Sequence, residues 1–208
     1  MKKLIAGLML SSCVLGLAMP AFAQDGTEAD LQEDYSGVDS ANVEVNGTLG
    51  ADNTDPGATI PEGDPNWINV TVPTKTIFYN TAADSDIKSP TYDIVNNSGR
   101  PVKVSISNFV DGAGNSSLGL TSLDFDLNVT LNGTETLVVN QGVVKDFSTP
   151  AQIVELPNSK GQSLAADTPV ENPTTNKTTF TYTGTATAAT QVQPTYTMTL
   201  KFDAVSWN

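Results

Sequence analysis

The chain has no histidine and a single cysteine, Cys13. Without histidine there can be no Ser-His-Asp triad and no imidazole metal ligand. Beyond Cys13 there is no thiol, so thiol catalysis, thiolate zinc sites and disulfides are excluded from the rest of the chain. Positive charge is also scarce. Ten Lys and Arg stand against 23 Asp and Glu, for a net charge of −13, and Arg100 is the only arginine. So acidic a chain repels nucleic acid and anionic membrane, and neither is an expected partner. The one long apolar run, Leu4 to Leu17, is short for a bilayer crossing, so no transmembrane segment is expected.

That run has the marks of an export signal. Lys2 and Lys3 precede it, and Ala21-Phe22-Ala23 supplies a small-x-small cleavage site before Gln24. A signal peptide over residues 1–23 and a secreted, cell-surface location are expected. "LSSC" (Leu10 to Cys13) has the form of a lipoprotein box. Val14, Leu15 and Leu17 continue the apolar run where a lipidated protein turns polar, so Cys13 reads as a small residue in the signal core. Removing residues 1–23 takes two basic residues and no acidic one, so the net charge becomes −15. Residues 24–41, "QDGTEADLQEDYSGVDSA", are acidic and poor in large apolar side chains, and read as a disordered leader. One folded domain is expected over 42–208, long enough to bury a core without staples.

Within it the apolar residues alternate. Val43 and Val45 suggest a first strand. Ala51 to Asn66, dense in Asp, Asn, Pro and Gly, reads as a long loop. Ile68, Val70 and Val72 face one way, and Pro73 breaks the strand before "TKTIFYN", an expected edge. Leu123, Phe125, Leu127, Val129 and Leu131 occupy every second position, with polar residues between them. Asn132-Gly133 then predicts a two-residue hairpin turn into "TETLVVN". Gln152 to Leu156, "TTFTYTGTATA" and "TYTMTLKFDAVSW" complete the strands. In "SPTYDIVNNSGRPVKVSISNF" (89–109), Asn96 to Arg100 reads as a hairpin corner, with Gly99 at positive φ and a bulge near Ser107-Asn108. No segment has a helical period. The pattern predicts an all-β fold: an antiparallel β-sandwich of immunoglobulin-like, Greek-key type.

Carboxylates are the remaining catalytic chemistry. Asp124 and Asp126, two apart, are expected on one solvent face, where neither gains the raised pKa or the facing partner of a glycosidase pair. No catalytic residue is assigned, and no cofactor is required. Calcium is the candidate ion, because it wants several oxygens from a flexible loop. Asp52, Asn53 and Asp55, with Asp111 and Asn115, are its candidate ligands, although Asp and Asn also simply make turns. Lys103 and Lys201, each flanked by apolar residues, should point to solvent. Four residues are candidates for partner contact: Trp67, Tyr79 and Trp207 as aromatic platforms, and Arg100 in its loop.

"WINVTVPTKTIFYNT", "SPTYDIVNNSGRPVKVSISNF" and the closing "YTMTLKFDAVSWN" resemble small secreted surface proteins of Gram-positive bacteria. The resemblance is to the WxL-type cell-wall proteins and, more loosely, to the TasA/camelysin fibre proteins, over about Asn66 to Asn208. Trp67 is followed by Ile68-Asn69, and Trp207 by Asn208, so the Leu of the family signature is missing. The resemblance implies a non-enzymatic surface or matrix component, held non-covalently by cell-wall polymer, by other surface proteins or by its own copies. A carbohydrate-binding module is the alternative expectation.

Overall fold

The computed structural model describes residues 49–207, so the signal peptide, the acidic leader and the strand expected around Val43 and Val45 lie outside the described residues. The fold is all-β, built from antiparallel strands in two sheets that curl toward a half-barrel, a sandwich-like arrangement. In chain order the strands are β1 (Val70–Thr71), β2 (Tyr79–Thr81), β3 (Asp84–Lys88), β4 (Tyr92–Asn96), β5 (Val102–Asp111), β6 (Asp126–Leu131), β7 (Thr134–Asn140), β8 (Val143–Val144), β9 (Ala151–Leu156), β10 (Lys177–Thr185) and β11 (Tyr196–Ala204). The larger sheet runs β1-β4-β10-β6-β7-β8. β3 joins β10 beyond the end of β4 and carries β2 on its other side. The smaller sheet is β11-β5-β9.

Alternation decides which faces meet. Leu127, Val129 and Leu131 of β6 and Phe180 and Tyr182 of β10 turn inward to meet Val102, Val104 and Ile106 of β5 in one apolar core. Water is removed from all these side chains, at about 25 cal/mol per Å² of apolar surface, and this is the main force holding the sheets together. Asn132 (φ 50°) and Gly133 (φ 78°) make the expected two-residue turn between β6 and β7, with the left-handed backbone that matches strand twist. Ser107 is the extra residue of a β-bulge: Thr199 pairs with Asn108 and Leu200 with Ile106. That insertion returns Phe109 to the core face. Lys103 and Lys201 lie on the outer face, paired with Glu155 and Asp203.

Three expectations change. β4 and β5 are not a hairpin: β4 belongs to the large sheet and β5 to the small one, so residues 97–101 cross between layers. Both edges of β4 are already taken, by β1 and by β10, which leaves no room for β5. Asp124 lies outside the strand with φ 45°, so it does not share a strand face with Asp126, whose Oδ1 accepts from the Gln141 amide at 2.7 Å. The edge strand after Pro73 forms only over Tyr79–Thr81. No helix among the described residues is long and apolar enough to cross a membrane.

Candidate functional site

Two places concentrate the side chains that chemistry would use, one at the crossing between the sheets and one beside β11.

At the crossing, Arg100 is 7% exposed and Trp67 is fully buried. The Ala51–Asn66 loop folds over the crossing through Asx turns. Asp52 accepts from the Thr54 amide and hydroxyl, Asp55 from the Gly57 amide and Asp64 from the Asn66 amide. This brings Glu62 to the guanidinium. Arg100 Nε donates to both Glu62 oxygens (2.9 and 3.0 Å), Nη2 donates to Glu62 Oε1, and Nη1 donates to the Pro56 and Gly99 carbonyls. The Arg100 Cζ atom also lies 4.2 Å from the ring centroid of Trp67 and 4.2 Å from that of Trp207. Cation–π attraction strengthens when water is excluded, as it is here. Glu62 completes the link to the end of β11 by accepting from the Trp207 amide at 3.1 Å. Burial alone would push the Glu62 carboxyl up. The Arg100 hydrogen bonds, the Trp207 amide and the Arg100 charge outweigh it and hold Glu62 below its ordinary value.

Neighbouring amides complete the crossing. Asn96 is fully buried; its Nδ2 donates to the carbonyls of Arg100 and Pro157, and its Oδ1 accepts from the Ser98 amide. Asn158 donates to the Gly99 carbonyl and accepts from the amides of Lys160 and Gln162. Gly99 does not take positive φ, as the turn reading expected. Its role is close approach: a Cβ there would lie 2.6 Å from the Asp55 carbonyl oxygen and 2.7 Å from Trp67 Cζ3.

The candidate residues therefore divide. Trp67, Arg100 and Trp207 come together, but they face one another, and Trp67 presents no surface. Tyr79 stays outside, 53% exposed, next to Ile77 at 62%. Of the calcium candidates, Asp52 and Asp55 serve the turns above, and Asn53 bonds Asn66 and Asn69. Asp111 accepts from Asn115, whose side chain pins the Thr195 backbone through both its atoms. The two groups sit in separate loops, and among the described residues no three His, Cys, Asp or Glu side chains cluster in a way that could hold a metal ion. Glu62 is the member of the crossing that the sequence reading missed. A lone arginine in an acidic chain calls for some carboxylate, but nothing marks which of the 23 it takes.

Beside β11 the two sheets do not close. A cavity of about 1060 Å³ lies between the Val72–Asn80 segment and β11, and aromatic rings line it. Phe78 lies 5.9 Å from Phe125, 5.9 Å from Tyr182 and 6.4 Å from Tyr196, centroid to centroid. Among the described residues β11 is an edge strand, hydrogen-bonded to β5 alone. Comparison with known proteins adds no likeness: no family model, no curated protein and no solved structure matches the chain.

Proposed function

We propose that this is a secreted, non-enzymatic protein of a bacterial cell surface or extracellular matrix, which adheres through the free edge of β11. The observation that carries the reading is that edge. It is nine residues long, unpaired on one side among the described residues, and it faces a segment that presents Ile77 and Tyr79 to solvent. An unpaired edge exposes a row of N–H and C=O groups that an extended segment can complete, with pockets alongside for its side chains. The partner is another surface protein, cell-wall polymer or a second copy of the chain. The lack of histidine and of thiols beyond Cys13 supports a role without catalysis. A sugar-binding reading draws less support, because Trp67 turns its face to Arg100 instead of to solvent.

The test is self-association by sedimentation velocity together with co-sedimentation on purified cell walls. Charged side chains blunt sheet edges, so Thr197→Lys with Thr199→Lys should abolish whichever association the wild type shows. Both positions are exposed, so the melting temperature should hold. A wild type that stays monomeric and does not pellet with walls would refute the proposal. Association untouched by the double variant would remove β11 from it.

A further inference from the structure

The cavity beside β11 combines an apolar wall with one unanswered polar atom. The Tyr196 hydroxyl is buried in that wall and, among the described residues, has no hydrogen-bond partner. The Tyr182 hydroxyl, in the same wall, has one, the Thr76 hydroxyl at 3.0 Å. A buried hydroxyl without a partner costs about 1–3 kcal/mol, so native proteins rarely keep one without a use. The lining is otherwise Phe, Leu, Ile, Val and Met, with Thr, Gln and Asn among the polar residues. Among the described residues Lys75 is the only charged side chain that lines it, and Lys75 is solvent-exposed. An anion drawn into the interior would therefore be uncompensated. Asp111 stands opposite Tyr196 in the strand register and adds negative charge nearby. Burial first, and the Asp111 charge second, raise the Tyr196 pKa above the usual phenol range, so the group remains an O–H donor.

We propose that this cavity is a binding site for a single-chain neutral lipid, its alkyl chain packed among Phe78, Phe125, Met198 and Leu200 and its uncharged oxygen accepting a hydrogen bond from Tyr196. The volume is that of a ligand pocket for a molecule of drug-like size or slightly larger. An alcohol and an ester share the required chemistry: an apolar chain that ends in a neutral acceptor. The site lies behind the β11 edge and does not depend on that edge binding a partner.

The test uses the full chain and four ten-carbon probes, decanol, methyl decanoate, decanoate and decane, each displacing the environment-sensitive dye N-phenyl-1-naphthylamine. Decanol or methyl decanoate, or both, should displace the dye at one site per chain and more tightly than decanoate or decane; the stronger of the two identifies the oxygen. Tyr196→Phe removes only the donor and leaves no orphaned group behind, so the fold should hold. It should weaken the oxygen-bearing probes about 5- to 10-fold, as expected for one hydrogen bond, and leave decane unchanged. Leu200→Trp should remove dye binding by filling the space. Absence of dye binding, preference for decanoate, or equal weakening of decanol and decane by Tyr196→Phe would each overturn the proposal. So would a dye-excluding dimer, which would make a second copy of the chain the occupant.

Discussion

The crossing around Arg100 and the cavity beside β11 are made by opposite means. At the crossing, Arg100, Asn96 and Asn158 are buried and each finds partners, Glu62 pairs from the partly exposed rim, and the Trp207 indole N–H alone has no partner among the described residues. At the cavity the groups are mostly apolar, the space is incompletely filled and the Tyr196 hydroxyl has no partner among the described residues. A buried polar cluster of the first kind is costly to break and therefore rigid, because each removal strands a partner in a dry place. An apolar wall that already borders a void has less packing to lose. The difference marks the crossing as a part that holds the fold and the cavity side as the part to which the proposed binding is given.

Breaking the crossing should be the most damaging change. Arg100→Ala removes a buried guanidinium, its hydrogen bonds to the Pro56 and Gly99 carbonyls and the cation between two indoles, while Glu62, 36% exposed, is left within reach of water; it should cost about 2–3 kcal/mol by urea denaturation. A loss under about 1 kcal/mol would mean that the crossing is not structural. Gly99→Ala drives a methyl into the Asp55 backbone and should cost about 1–3 kcal/mol, while keeping every charge in place. Trp207→Ala tests the same cluster from the end of β11. It should cost about 2 kcal/mol, and an unchanged melting temperature would show that Trp67 alone suffices.

Acid titrates the comparison. Glu62 is held below its reference value of 4.5 in the fold, chiefly through Arg100 against the opposing effect of burial. Its ionised form therefore contributes stability that is complete above about pH 4.5 and is lost as pH falls through the lower folded value. Below pH 4.5 the melting temperature of the wild type should fall more steeply than that of Glu62→Gln. Parallel curves would show that other carboxylates govern the acid limb. The smallest effect on stability belongs to the open side. Ile77→Lys with Tyr79→Lys should stay within about 0.5 kcal/mol of the wild type by denaturation. A larger loss would mean that this segment is part of the core.

What could be read in the sequence follows the range of the interactions involved. The period of two in Leu127, Val129 and Leu131 fixes a strand and its inner face from adjacent residues alone. Asn132-Gly133 fixes its turn in the same way, and Phe109's loss of phase marks the bulge at Ser107. In sequence the crossing reads as a hairpin, because Asn97-Ser98-Gly99 carries ordinary turn chemistry. What decides otherwise is the occupation of both β4 edges by strands distant in sequence. Trp67, Arg100 and Trp207 could be singled out by rarity, but their meeting depends on a loop, a layer crossing and the end of the last strand. No local pattern encodes Glu62 as the fourth member.

The stacking on Arg100 has a spectroscopic consequence. Both tryptophans of the chain contact one guanidinium, whereas Tyr182 and Tyr196 line the cavity. Indole emission is therefore a gauge of the crossing, and the tyrosine absorbance that Tyr196→Phe removes is a gauge of the cavity. Compared with Tyr196→Phe, one sample read at two wavelengths reports on the part that keeps its shape and on the part proposed to receive a guest.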